Sequence, residues 1–151
     1  HGNPWLNELM PENFILINSI DAKRLGFRNK EFVRIVSDSN PEGVWVLPNF
    51  GKKHLVGKLK VMEGIRPGVI SFALGYGTWA NGSADYIIDG KTIKGNPANG
   101  TGIMANSAMM IDPHLKNVSL QDLVGGSVVF YDSPVRLVKE SKFVGETLEL
   151  A

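Results

Sequence analysis

The sequence predicts a mainly β domain, and three features of the 151-residue chain indicate a closed, mixed β-barrel. Short β-rich runs that predict strands recur along the chain, at 14–17, 32–37, 44–47, 55–62, 69–74, 127–131 and 135–138. Only brief helices fit between these runs. One long segment, from Gly75 to Gly102, is loop-like and dense in glycine, asparagine and aromatic residues. Many short strands with a single long loop fit a barrel better than a sandwich of regular hairpins.

Local signals predict the individual elements. Asn18 or Ser19 can cap a helix of one or two turns, and Gly26 can end it in a left-handed conformation. The segment 55–62 alternates, which predicts a half-exposed strand with Gly57, Leu59 and Val61 on one side. Asp89-Gly90 is a strong two-residue hairpin signal between two short strands. A capped helix is predicted over 119–123, ending at Gly125-Gly126.

The chain reads as one domain over residues 1–139, followed by a polar tail at 140–151 that we expect to be flexible. No internal repeat or linker divides it. The chain begins with His1 rather than Met, and excision from a longer polypeptide is the favoured interpretation. No secretory signal precedes the first strand, and no apolar run approaches the roughly 18 residues of a membrane-spanning helix.

The amino-acid composition and the residue types available for catalysis argue against several functions. The net charge is +1 and the basic residues are scattered, which argues against nucleic-acid or membrane-surface binding as the main role. Cysteine is absent, which excludes disulfides, thiolate metal sites and thiol nucleophiles. His1, His54 and His114 are far apart and lack helical ligand spacing, so no metal site is predicted. No Ser, His and acid combination stands out, and no catalytic residue is assigned.

Gly75-Tyr76-Gly77-Thr78-Trp79-Ala80 matches the dinucleotide fingerprint G-x-G-x-x-A after an apolar run. The fingerprint also requires a helix to begin there, and Asn81-Gly82-Ser83 breaks a helix, so a Rossmann fold is not predicted. Glycines nevertheless let backbone N–H groups approach an anion, while Tyr76 and Trp79 offer stacking faces. The alternative is a solvent loop whose aromatic residues anchor it to the barrel, and the residues alone favour neither.

A second polar, glycine-rich stretch runs from Asn96 to Ser107. Its amide and hydroxyl side chains can read donors and acceptors on a heterocycle such as a pterin or guanine, although Asn and Gly also simply form turns. The Gly82-Ser83 and Gly126-Ser127 dipeptides are compatible with self-cleavage to a pyruvoyl group, but such pairs are too common to carry weight.

The order and spacing of several short motifs resemble a known family. These motifs are Asn3-Pro4-Trp5-Leu6-Asn7-Glu8, 11–18 (PENFILIN), Asp21-Ala22, Leu25-Gly26, 31–35 (EFVRI), 65–69 (IRPGV) and 131–137 (YDSPVRL). Together they resemble the C-terminal molybdopterin-dinucleotide-binding domain of the dimethyl-sulfoxide-reductase family. The resemblance runs over residues 1–139, and Asn-Pro-Trp-Leu is similar to the branch that contains thiosulfate, polysulfide, tetrathionate and arsenate reductases.

This resemblance implies a six-stranded double-psi β-barrel of the aspartate-decarboxylase type and a bis-(molybdopterin guanine dinucleotide) cofactor with Mo or W. It implies that the isolated domain binds no cofactor and catalyses no reaction alone, since metal ligands and iron–sulfur cysteines belong to other domains. The implied cofactor-binding residues are His1, Gly2, Asn3, Gly75, Tyr76, Gly77, Trp79, Asn106, Tyr131 and Asp132. The family often has a His in the first loop and Asn-x-Leu-Thr in the second. This chain has Leu74-Gly75-Tyr76 and Ala105-Asn106-Ser107 there.

The function implied is cofactor binding within the catalytic subunit of a Mo or W oxidoreductase of anaerobic respiration that reduces a sulfur or arsenic oxyanion. Expected partners are the other domains of the same polypeptide and an iron–sulfur electron-transfer subunit, without nucleic acid or direct membrane insertion. The parent enzyme is expected on the extracytoplasmic face or in the periplasm, with the cytoplasm as the alternative. Two other functions remain open: a free-standing pyruvoyl-dependent decarboxylase-like barrel, and a separate small cap subunit of a Mo or W enzyme.

Overall fold

The computed structural model describes residues 3–47, 51–78, 82–116, 118–129, 131 and 133–140. Within them lie two short helices, α1 (Pro4–Leu9) and α2 (Ser19–Leu25), and two 3₁₀ helices, Pro97–Gly100 and Ala105–Ala108. The strands are β1 (Ile15–Ile17), β2 (Phe32–Ser37), β3 (Val44–Leu47), β4 (Gly51–His54), β5 (Val56–Val61), β6 (Ile70–Ser71), β7 (Tyr86–Ile88), β8 (Lys91–Ile93) and β9 (Val135–Lys139). None of the helices in this part of the chain combines the length and the hydropathy needed to span a membrane.

The main sheet has five strands in the order β6-β1-β5-β2-β9. β1 runs parallel to β5, with Ile15 opposite Leu59, and the other neighbouring strands are antiparallel. A parallel pair requires a long crossover, which here contains α2, β2 and the β3–β4 hairpin. The sheet curls around a core that includes Ile15, Ile17, Val33, Ile35, Leu55, Leu59 and Ile103. The mainly β prediction is confirmed, whereas the six-stranded double-psi closure stays a prediction.

The elements with strong local signals form as predicted. The Asn18 side chain accepts the Ile20 N–H at 2.8 Å, and Gly26 ends α2 with φ 72°. Asn18 also donates to the Ile65 carbonyl at 2.7 Å, so the cap ties α2 to the turn before β6. In the β7–β8 hairpin, Asp89 and Gly90 both have positive φ (49° and 75°), as a two-residue turn of this type requires.

Three predicted elements differ from the structure. Only Ile70–Ser71 of the predicted buried strand at 69–74 pairs, and Val69 and Leu74 are 46% and 59% exposed, because β6 is an edge strand. The predicted helix at 119–123 is wrong: the Asp122 carboxylate accepts the Val124 and Gly125 N–H groups and makes a turn instead. The described part of the predicted strand at 127–131 contributes one isolated bridge, between Val128 and Gln121.

Candidate functional site

The two glycine-rich segments singled out in the sequence cross each other. The Gly77 N–H donates to the Thr101 carbonyl oxygen at 2.8 Å. Gly77 has φ 70°, and a Cβ atom at this position would lie 2.5 Å from the Met104 nitrogen and 2.6 Å from the Ile103 carbonyl carbon. Both neighbours are backbone atoms, which no rotamer change can move. Only glycine therefore fits where the segments cross.

Asn13 fixes the same two segments to the start of β1. Its side-chain amide donates to the Ala73 carbonyl at 2.8 Å and to the Ile103 carbonyl at 3.1 Å, and its oxygen accepts the Ile103 N–H at 2.8 Å. The residue is 2% exposed, so all three hydrogen bonds involve a buried group. Sequence reasoning missed Asn13, because an asparagine just before a strand is indistinguishable from an ordinary turn residue.

Further contacts anchor the two segments to neighbouring parts of the chain. The buried Tyr76 donates from its hydroxyl to the Met10 carbonyl at 3.1 Å, and the Thr101 hydroxyl donates to the Pro11 carbonyl. The Lys53 ammonium group donates to the Gly100 carbonyl. Tyr76 thus anchors its own loop, which is the structural role that the sequence left open for the aromatic residues.

A groove of about 510 Å³ opens beside this crossing. Its walls are Val69, β6 and the following residues 72–74 on one side, with Ala105, Ala108, Met109, Tyr131, Ser133 and Val135 opposite. We call it the loop-side groove. Leu74 lines it immediately before Gly75, and Tyr131, whose exposed fraction is 75%, forms part of its rim.

Two buried hydroxyl groups lack a hydrogen-bond partner among the described residues. Ser133 Oγ belongs to a residue that lines the loop-side groove, and Thr78 Oγ1 lies in the loop that follows Gly77. A buried hydroxyl without a partner is unfavourable by about 1–3 kcal/mol, and such groups are rare in folded proteins. Both atoms are therefore available to a polar ligand or to an ordered water molecule.

The residues that the family resemblance implies as cofactor-binding do not all lie at one site in the structure. Gly75 has φ 85° and open space around the position of a Cβ, and Asn106 lies exposed on the 3₁₀ helix. Asn3 instead caps α1, where its side chain accepts the Trp5 and Leu6 N–H groups at 3.0 and 3.4 Å. The remaining members of the set lie outside the described residues: His1, Gly2, Trp79 and Asp132.

The carboxyl groups whose pKa values are shifted lie outside the loop-side groove. The pKa values of Asp112, Asp122 and Glu31 are lowered chiefly by backbone N–H donors, from Leu115, Val124 and Arg28 respectively. The pKa of Asp85 is lowered chiefly by its hydrogen bond to Lys94. None of these four carboxylates lines the groove, and their shifts reflect stabilised turns.

Among the described residues no cluster of three His, Cys, Asp or Glu side chains could hold a metal ion. Backbone donors, an amide, hydroxyls and an aromatic ring are groups that bind and orient a polar ligand.

Comparison with known proteins assigns the family. No family model matches the chain. It is 40% identical over 136 residues to the A subunit of the selenate reductase of Mesobacillus selenatarsenatis, a match covering 89% of this chain and 13% of that protein. The A subunit of the tetrathionate reductase of Salmonella typhimurium is 28% identical over 136 residues, covering 89% of this chain and 12% of that protein. Its counterpart in Archaeoglobus fulgidus is 31% identical over 81 residues, covering 51% of this chain and 6% of that protein.

The chain thus spans 13% or less of the length of these curated relatives and is homologous to one segment of reductase A subunits. It belongs to the dimethyl-sulfoxide-reductase family of molybdopterin enzymes, and the resemblance in its sequence motifs is confirmed.

Proposed function

We propose that the chain is the C-terminal cofactor-binding domain of the catalytic subunit of a larger molybdenum or tungsten oxidoreductase. The proposal rests above all on the crossing of two glycine-rich segments beside the loop-side groove, in a chain 40% identical to a reductase subunit over 89% of its length. In this proposal residues 1–139 form a double-psi barrel that covers one side of a bis-(molybdopterin guanine dinucleotide) cofactor.

The residues around the loop-side groove fit such a cofactor. Phosphates require backbone donors that can be approached closely, and the backbone at Gly75 faces open space. Heterocycles require amides and aromatic faces, which Asn106 and Tyr131 offer at the surface. The unpartnered Ser133 and Thr78 hydroxyls can complete their hydrogen bonds to polar atoms of the ligand.

A bound metal pterin supplies the electron-transfer chemistry, and this chain binds and orients it. Tyr76 and Asn13 stabilise the loop that contains Gly75, because both side chains are buried and each donates a hydrogen bond to a backbone carbonyl group. Asn3 and Tyr76 already make hydrogen bonds within the chain, so we assign them mainly a structural role in supporting the site. Asn106, Tyr131 and Gly75 are the described residues with which we expect the cofactor to make direct contact.

The proposed substrate is an oxyanion of sulfur or selenium. The relatives are named for selenate and tetrathionate, which supports the sulfur chemistry expected from the sequence and adds selenium. Arsenic chemistry gains no support from these names. As the relatives are A subunits, we also propose partners: the remaining domains of the same polypeptide and an iron–sulfur electron-transfer subunit. The alternative of a separate small cap subunit is distinguished by the length of the natural reading frame.

Substitution of Asn106 by alanine in the complete subunit is expected to lower cofactor retention without unfolding the domain. The loss of one hydrogen bond, contributing about 0.5–1.5 kcal/mol, predicts a fall in retention of about 2- to 13-fold. Molybdenum or tungsten and pterin are measured per folded subunit, together with the melting temperature. Trp79→Ala is expected to act in the same way through a lost stacking face.

The matched control is Asn29→Ala. Asn29 accepts the Val61 N–H at 3.0 Å in an exposed position and does not line the loop-side groove. Normal metal and pterin content in the folded Asn106 and Trp79 variants would contradict the site assignment. A lowered melting temperature with unchanged cofactor content per folded subunit would show that these residues only anchor their own loop.

A further inference from the structure

The turn between β2 and β3 is hydrogen-bonded to the 3₁₀ helix Ala105–Ala108, which we call the 105–108 helix. The Asn40 side-chain amide donates to the Ser107 carbonyl at 2.8 Å, and the Ser39 hydroxyl donates to the Met109 carbonyl at 2.8 Å. The paired residues are 67 and 70 positions apart in the sequence. Two neighbouring side chains of one turn therefore hold the end of a helix from a distant part of the chain.

The 105–108 helix has little of its own to fix its position. It is four residues long, and its N-cap residue is Met104, which has no side-chain oxygen to cap it. The hydrogen bonds within such a short 3₁₀ helix are few and poorly aligned. Ala105 and Ala108 are buried on one face, because positions i and i+3 eclipse in a 3₁₀ helix, whereas Asn106 is exposed. The position of Asn106 therefore depends on contacts from outside the helix.

The β2–β3 turn is braced internally. Asn40 accepts the Val44 N–H at 3.2 Å and donates to the Val44 carbonyl at 2.7 Å, which closes the turn onto the start of β3. The buried Ser37 Oγ accepts the Asn40 N–H at 3.2 Å and lies 3.1 Å from Ser39 Oγ. A serine hydroxyl has one hydrogen, and that of Ser39 goes to the Met109 carbonyl, so Ser37 is the donor to Ser39. A continuous chain of hydrogen bonds thus connects the end of β2 to the 105–108 helix.

Asn106 lies between two anchored positions. Before the helix, the buried Asn13 side chain binds both the N–H and the carbonyl of Ile103. After Asn106, the β2–β3 turn binds the two carbonyl groups described above. Neither donor side chain of the turn is among the described residues that line the loop-side groove, whereas Met109, which one of them binds, does line it. The turn can therefore act on a ligand there only through the helix.

We propose that Ser39 and Asn40 are positioning residues that hold the 105–108 helix where the Asn106 amide can bind the cofactor. This inference rests on the proposed function, because it takes Asn106 as a cofactor contact. A helix that occupies the binding-competent position for a smaller fraction of the time gives a proportionally weaker apparent affinity. Removal of the anchors can therefore cost as much retention as removal of the Asn106 amide, but no more.

The test is a double-mutant cycle on cofactor retention in the complete subunit. Asn40→Ala is made alone and together with Asn106→Ala, and molybdenum or tungsten and pterin are measured per folded subunit. Asn40→Ala alone is expected to lower retention by about 2- to 13-fold, the range for one lost hydrogen bond of Asn106. In the Asn106→Ala background it should have almost no further effect, because the group that it positions is already absent. Losses that multiply would show that Asn40 acts on the fold as a whole, and would overturn the proposal.

Amide hydrogen exchange measures the connection between turn and helix independently of the cofactor contact. The Asn106→Ala subunit is compared with the Asn40→Ala/Asn106→Ala subunit, so that both proteins lack that contact. The peptide that contains residues 105–109 should exchange about 2- to 13-fold faster in the double variant, since one hydrogen bond that opposes local opening is lost. Unchanged exchange in this peptide would show that Asn40 does not hold the helix, and would overturn the proposal.

Serine variants provide graded and matched comparisons. Ser39→Ala removes the hydrogen bond to Met109, whereas Ser37→Ala leaves that bond in place. Ser39→Ala should therefore retain less cofactor than Ser37→Ala, and Ser39→Thr, which keeps the hydroxyl, should restore retention. Asn29→Ala is the asparagine control and should retain cofactor like the wild type, since its exposed hydrogen bond to the Val61 N–H lies outside the turn and the helix. Equal retention in Ser39→Ala and Ser37→Ala would contradict the role of Ser39.

The Asn106→Ala variant separates this inference from the proposed function. Loss of cofactor in Asn106→Ala with full retention in Asn40→Ala and Ser39→Ala would reject the positioning role alone. Full retention in Asn106→Ala would reject the contact assigned to Asn106, and the positioning role with it. A complete wild-type subunit without metal and pterin would reject the proposed function itself.

Discussion

Asn13→Ala is expected to lower the free energy of unfolding of this domain by about 3–5 kcal/mol, a large part of the stability of a typical domain. Three hydrogen bonds are lost, and the buried Ile103 N–H and the Ala73 and Ile103 carbonyl groups lose their partner. A buried polar group without a partner retains the full cost of its removal from water. The effect is measured as the shift of the urea unfolding midpoint at constant slope.

Asn29→Ala is the control, since it removes a single hydrogen bond at an exposed position, to the Val61 N–H. Its effect should stay within about 1 kcal/mol. Asn13→Asp is the second comparison: it keeps an oxygen acceptor for the Ile103 N–H but places a carboxylate against two carbonyl oxygens. We expect it to be at least as destabilising as alanine. Equal midpoints for the Asn13 and Asn29 alanine variants would show that the Asn13 hydrogen bonds contribute little.

The parts of the fold that the sequence predicts are those set by neighbouring residues. Asn18 and Gly26 satisfy the exposed backbone groups at the two ends of α2, and both lie within the helix's own segment. The Asp89-Gly90 turn needs only the left-handed conformations of its own two residues. The strand β2 follows from the β-rich composition of its own residues, and the strand β5 follows from an alternation that is visible in six residues.

The parts that fail depend on distant residues or on surfaces that a partner would cover. Apolar composition at 69–74 indicates burial, but it cannot tell whether the covering layer belongs to this chain. Asn13 acquires its importance from residues 60 and 90 positions away, which no local pattern reveals. Asn3 is the reverse case. Its position before Pro4 is a readable helix-capping signal, whereas the family resemblance favours interpreting it as a ligand contact.

Within the candidate site the sequence predicts where the chain needs glycine, but not for what purpose. The Gly75-x-Gly77 spacing indicates backbone that can be approached closely. At Gly77 the approaching group is the chain's own Ile103–Met104 backbone, whereas at Gly75 the space is open. Two glycines of one motif therefore serve different purposes: Gly77 allows the segments to cross, and Gly75 leaves backbone accessible to a ligand.

This difference predicts unequal effects of the same substitution. Gly77→Ala and Gly75→Ala both place a Cβ atom on a left-handed residue, with φ 70° and 85°, at a cost of about 1–2 kcal/mol each. Only the Gly77 variant also forces a methyl group against backbone atoms at 2.5 and 2.6 Å. Such overpacking adds about 1–3 kcal/mol and is relieved only if the two segments move apart. The urea midpoint of Gly77→Ala should therefore be clearly the lower of the two.

Cofactor content should separate the two variants in a second way. In the complete subunit, Gly77→Ala should lose metal and pterin in proportion to its loss of folded loop structure. Gly75→Ala should stay close to wild type in stability apart from the left-handed strain, and yet lose cofactor, because its methyl group enters the space reserved for the ligand. Gly68→Ala controls for the strain alone: Gly68 has φ 82°, no atom near its Cβ position, and lies outside the loop-side groove. If Gly75→Ala and Gly68→Ala retain the same amount of cofactor, the open backbone at Gly75 does not face the dinucleotide, and the proposed contact there is wrong.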